Sequence, residues 1–136
     1  MDQATQSLLT ALLDFVPVED GFTHPAEAIL ETSVKNTDQA LAFDEIRQYY
    51  LASTDKWPER GAGLLRCMGR LDAFLSYEPL LDLAAAALKH SSPDIREAAI
   101  TTLEAIGGDK ARSWLMAHTE PHPLLRGYLE CLLKYI

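Results

Sequence analysis

Three proline-led segments repeat along the chain, and this self-similarity limits the fold more than any other feature. Pro93-x-x-Arg96 recurs thirty residues on as Pro123-x-x-Arg126, and the same shift carries Ala99 to Leu129, Leu103 to Leu133 and Ile106 to Ile136. A shift of thirty-five carries Pro58 to Pro93, Leu64 to Ala99, Met68 to Leu103 and Leu71 to Ile106. The apolar residues of each segment fall at helical spacing, so each unit reads as a helical hairpin. One such hairpin cannot bury its apolar face alone and has to stack on a neighbour.

The rest of the chain is helical in period as well. Leu8, Leu12 and Phe15, with Leu9, Leu13 and Val16 beside them, predict an amphipathic helix that ends before Pro17. Residues 17–24 read as a loop, followed by a short helix from Pro25 that Lys35-Asn36-Thr37 closes. Between Asp38 and about Ser53, Phe43, Ile46 and Tyr50 share one face while Asp38, Asp44, Glu45 and Gln48 lie largely on the other. Helices follow from Pro58 and from about Tyr77. A further helix starts at Ser92-Pro93, where serine at N-cap is expected to bond orphan amides and proline has no amide to lose. Gly107-Gly108-Asp109 reads as a glycine stop and then a capping aspartate, and the last two helices hold Trp114, Leu115 and Ala117 and then Leu124 to Ile136. No period-2 run has strand character. The expectation is one all-α domain over residues 1–136.

Ser92-Pro93-Asp94-Ile95-Arg96-Glu97-Ala98-Ala99, followed by Leu103, Ile106 and Gly107, resembles the second helix of a HEAT-like repeat. The resemblance covers about residues 40–136 and implies a right-handed α-α superhelix of HEAT-like helical hairpins over 37–136, with residues 1–36 as a divergent helical cap. The Pro123 unit keeps Leu125 and Arg126 but has Tyr128 and Leu129 for the small pair, and the Pro58 unit has Gly61 at the arginine place. The family tends to place an aspartate six residues before that arginine, forming a ladder of buried ion pairs between repeats. Those places hold Asp55, His90 and Glu120, and only Glu120 with Arg126 matches the pairing within one unit.

Charge bears on function. The net −8 sits entirely in residues 1–59, with eleven acids against Lys35, Arg47 and Lys56, whereas residues 60–136 balance. An acidic half repels phosphate backbones and anionic headgroups, so the expected partner is a basic protein, with no nucleic acid and no membrane. Cys67 and Cys131 lack the spacing of a zinc or redox pair and read as small core residues. Together with the absence of a basic, apolar leader, they suggest a reducing cytoplasm and a chain that is monomeric when free.

Catalytic and metal signals are weak. His118 and His122 are four apart, but Pro121 breaks any helix that would align them, and His24-Pro25 and His122-Pro123 read as helix starts. No nucleophile sits in a recognisable motif, and the adjacent Asp44 and Glu45 diverge by about 100° on a helix. An enzyme, a cofactor and a metal are therefore not expected. The preferred interface is Asp38, Asp44, Glu45 and Asp55 interleaved with Tyr49 and Trp57, while Tyr50 reads as core. Arg66 and Arg70, four apart on the Pro58 helix, are either solvated partners of Asp72 or Glu59 or part of a concave binding surface beside Thr101 and Glu104.

The favoured function is a non-enzymatic protein–protein interaction module, most concretely an acidic immunity or inhibitor protein that covers a basic toxin such as a nuclease. A HEAT-like protein of the phycobilin lyase or DNA glycosylase type, or a scaffold subunit of a larger complex, is the alternative. A solenoid is a scaffold used for many purposes.

Overall fold

The computed structural model describes all residues, Met1–Ile136. The chain is all-α with nine helices: α1 (Gln3–Phe15), α2 (Pro25–Asn36), α3 (Gln39–Thr54), α4 (Pro58–Met68), α5 (Asp72–Leu75), α6 (Glu78–Ala87), α7 (Pro93–Ile106), α8 (Gly108–Ala117) and α9 (Pro123–Leu133). Proline starts α4, α7 and α9 as the repeat predicts. The one-turn α5 is absent from the sequence reading because four residues cannot display a 3.6-residue period. Phe74 anchors it, fully buried and edge-on to Phe43 at 5.4 Å between ring centres.

Helices α1, α4, α7 and α9 touch in that order, and α2, α3, α6 and α8 form a second row packed on them. The α4 and α7 pair is the most extensive contact. One core cluster runs from Leu9 to Leu129. The positions that match in the sequence shifts share burial in part. Leu64, Ala99 and Leu129 are all buried, and so is Leu71, but its counterpart Ile106 is half-buried and Ile136 exposed.

Four local expectations change. In α1 the buried residues are Leu9 and Leu13, whereas Leu8 and Phe15 face outward, the latter 84% exposed, because only one edge of α1 meets α2 and α4. Ser92 makes no side-chain cap; His90 Nδ1 instead accepts from the Ser92 amide at 2.9 Å. Asp109 lies inside the first turn of α8 and makes no cap bond, the N-cap being Gly107 at φ +67°. Cys131 is exposed on α9, while Cys67 is buried and burial pushes its thiol up to about 12.

The histidines do serve as helix starts. His24 Nδ1 accepts from the Ala26 amide at 3.0 Å while Glu27 Oε2 accepts from the His24 amide at 2.7 Å, a reciprocal capping box. His24 Nε2 then donates to the Val16 carbonyl at 2.8 Å, tying α2 to the end of α1. His122 Nδ1 caps α9 through the Leu125 amide in the same way at 3.5 Å.

The expected Glu120 and Arg126 pair does not form. Arg126 lies on the exposed side of α9, and Glu120 instead takes Arg96 of the preceding unit, Nε to Oε1 at 2.9 Å. Both side chains are buried, with the carboxylate completely covered. Asp55 likewise reaches forward, accepting from His90 Nε2 at 2.9 Å. The ladder positions are thus linked across units. Burial alone would raise the Glu120 carboxyl, but hydrogen bonds from Arg96, His118 and the His122 amide outweigh it and hold it at about 2.

Gly61, at the arginine place of the Pro58 unit, has no room for any side chain: a Cβ there would stand 2.5 Å from Thr54 Oγ1 and 3.2 Å from Ile95 Cδ1. Gly127 of α9, by contrast, faces open space. Gly61→Ala is predicted to lower the unfolding free energy by about 1–3 kcal/mol through overpacking, and Gly127→Ala to raise it by about 0.5–1 kcal/mol through reduced unfolded-state freedom; urea titration of both variants checks the opposite signs.

A second prediction follows from Glu120. Its folded value lies below the ordinary 4.5, so the stabilisation is complete above about pH 4.5 and is lost as the pH falls toward 2. Arg96→Met strands the buried carboxylate and is predicted to cost about 3–5 kcal/mol at neutral pH. The gap between variant and wild type, followed by urea unfolding at stepped pH, narrows on acidification through that window.

Candidate functional site

Helix α3 is where the structure gathers the acidic residues. At about 100° per residue, Asp38, Asp44, Glu45 and Asp55 fall within an arc of about 140° on its outward side, opposite the buried Phe43, Ile46 and Tyr50. Two leucines share that arc, Leu41 at 58% exposure and Leu51 at 57%. The sequence reading passed over both. On a helical wheel Leu41 falls opposite Ile46 and Tyr50, whereas Leu51 lies about 100° from Tyr50 at the edge of the acidic arc. Sixteen residues of helix at about 1.5 Å rise spread the acids along about 24 Å.

Each carboxylate has a local partner that orients it. Asp38 is the N-cap of α3, accepting from the Leu41 amide at 2.8 Å. Asp44 accepts from Arg47 Nη2 at 2.7 Å and from Gln48 Nε2 at 3.0 Å. Glu45 pairs with the amino-terminal amine of Met1, and Asp55 with His90. These contacts leave the acids open to solvent: the Asp44 and Glu45 side chains are 47% and 44% exposed, and that of Asp55 94%. Arg47 is the only base on α3. Exposed pairs of this kind contribute little to stability, about 0–1 kcal/mol each.

Tyr49 and Trp57 part company. Tyr49 is half-buried against the core, and its hydroxyl is hydrogen-bonded to that of Thr10, so it joins α3 to α1. Tyr50 is core, as expected. Trp57 is 43% exposed just past the end of α3, with Lys56 Nζ 4.6 Å and Arg60 Cζ 4.3 Å from its ring centre. Asp14 holds Arg60 in place through two hydrogen bonds of 2.8 and 2.7 Å, which keep the Asp14 carboxyl below the usual range.

Arg66 and Arg70 are not part of the α3 face. Neither pairs with Asp72 or Glu59. Arg66 Nη2 lies 3.5 Å from Glu97 of α7. Arg70 donates to the carbonyls of Phe22 at 2.9 Å and Glu19 at 2.8 Å and approaches Glu27 at 3.5 Å, so it pins the 17–24 loop to the end of α4.

No group of three or more His, Cys, Asp or Glu side chains is placed to hold a metal ion, and no helix is long and apolar enough to cross a membrane. The face can act by charge and apolar contact. No family model, curated protein or solved structure matches the chain.

If α3 presents Leu41 and Leu51 outward while Ile46 holds the core, their substitutions separate cleanly. Leu41→Gln and Leu51→Gln are predicted to change unfolding free energy by less than about 0.5 kcal/mol, against a loss of about 2–5 kcal/mol for Ile46→Ala. Urea unfolding of the three variants decides.

Proposed function

We propose that the chain is a non-enzymatic protein-binding module, a small HEAT-like right-handed superhelix that captures a basic partner on the outward face of α3. The observation that carries this reading is the combination on one helix face of four solvent-facing carboxylates with two leucines more than half exposed. Carboxylates speed the encounter with a basic surface. Exposed leucines supply apolar area that is buried once contact is made. Trp57, beyond the end of the helix, adds an aromatic anchor whose ring is already flanked by cations.

The most concrete form is an immunity or inhibitor protein that covers the active face of a basic toxin such as a nuclease. A basic enzyme that acts on a polyanion offers the surface that an acidic helix complements. The concentration of the net charge in residues 1–59 supports this, because the field is directed at one end of the stack rather than spread over it.

The test is capture of partners by the tagged chain at about 50 mM and then about 500 mM salt, where screening lengths differ severalfold. A stoichiometric basic protein is expected, its capture weakened at the higher salt and by Asp44→Asn, Glu45→Gln and Asp55→Asn together. Asp72→Asn with Asp82→Asn, away from α3, is expected to leave capture unchanged. Equal retention by the α3 variant and the control would overturn the reading.

A further inference from the structure

We infer that the cleft between α6 and α8 is a binding site for a small organic carboxylate with a planar apolar body. The cleft encloses about 430 Å³, a size suited to small-molecule sites, which run from about 300 to 1,000 Å³. Leu88, Trp114 and Pro121 supply apolar wall, and Lys89, Arg96 and His118 supply polar groups. No carboxylate lines it, in a chain whose net charge is −8.

The polar groups have bonding capacity to spare. A guanidinium has five N–H donors. Arg96 directs its Nε and one Nη2 donor at Glu120 and its two Nη1 donors at the His90 and Ser91 carbonyls, which leaves one Nη2 donor. Glu120 is ionised, so His118 Nε2 donates to it at 3.0 Å, and the Nδ1 edge of the ring is uncommitted. Lys89 is exposed at the rim. Glu120 itself is completely covered behind Arg96, and Asp55 engages His90 from outside the cleft.

These positions fit one ligand shape. A carboxylate takes the Arg96 and Lys89 donors with charge-assisted hydrogen bonds. A flat apolar body lies against Leu88 and Pro121 with the Trp114 indole, 42% exposed, as its stacking surface. The same carboxylate that fixes α7 to the segment before α9 also fixes the Arg96 guanidinium, so this side chain loses little freedom when a ligand arrives.

The probe is 2-naphthoate, titrated into the full chain and followed by the two tryptophan indole N–H resonances, assigned with Trp57→Phe. Saturable movement of the Trp114 signal and of the backbone amides at 88–90 and 117–119 is expected, with Trp57 unmoved. Neutral 2-naphthamide is expected to bind at least about tenfold more weakly, and Lys89→Met to weaken 2-naphthoate by about tenfold while leaving 2-naphthamide unchanged. Absence of a saturable Trp114 response up to about 10 mM overturns the site. Equal affinity for the acid and the amide, or for 2-naphthoate in Lys89→Met and wild type, removes the anion specificity. Inorganic phosphate binding as tightly as 2-naphthoate removes the role of the apolar walls.

Discussion

The buried pair of Arg96 and Glu120 is the constraint around which the C-terminal half is arranged. A carboxylate with no exposed surface is tolerated only when every oxygen is bonded, and Glu120 receives Arg96, His118 and the His122 amide. These bonds fix three things at once. They set the distance between α7 and the segment before α9, they fold the 118–122 turn, and they place His122 where its ring meets the first amides of α9. Arg96 also binds the carbonyls of His90 and Ser91, so the turn before α7 is held by the same guanidinium.

The pair has no copy one unit earlier, and packing explains why. At the corresponding arginine place α4 carries Gly61, whose hydrogen occupies the space against Thr54 and Ile95. There α3, α4 and α7 meet too closely for a guanidinium. The contact of α4 with α7, which also includes the Thr102 hydroxyl donating to the Leu65 carbonyl at 3.3 Å, is correspondingly the broadest in the molecule. One interface gains from close apolar approach and the next from a satisfied buried charge. The link between Asp55 and His90 lies at the surface, where its geometry is less demanding.

Much of this architecture was legible in the sequence, and the failures have a common cause. Helix starts at Pro58, Pro93 and Pro123 follow from proline chemistry, which is local, and so do the buried faces of α3 and α7, which follow from the helical period. Partner choice is not local. The spacing of Glu120 and Arg126 suggested a pair within one unit, yet the stack brings Arg96 closer and leaves Arg126 in solvent. The spacing of Leu8, Leu12 and Phe15 predicts an amphipathic helix, but which side of it is covered depends on neighbours that periodicity does not name, and Leu8 and Phe15 face outward. Leu41 shows the reverse. It lies opposite the α3 core stripe, so the helical period alone predicts its exposure, whereas Leu51 sits on the flank of that stripe, where exposure depends on the neighbouring helices.

That distribution keeps the acidic face of α3 apart from the bonds that hold the fold together. Bonds with a high cost of rupture cluster around α4, α7 and the turn before α9, whereas the carboxylates of α3 make exposed contacts that contribute little to folding. A face with little structural duty is free to carry one sign of charge, and residues 1–59 hold all of the chain's excess. Self-repulsion along α3 is relieved locally: Arg47 and Gln48 answer Asp44, the terminal amine answers Glu45, and the helix start answers Asp38. The pairs made by Asp44 and Glu45 are solvent-accessible, so a basic surface can replace them at small cost. The acids are therefore oriented without being consumed, which is what the proposed capture of a basic partner requires of them.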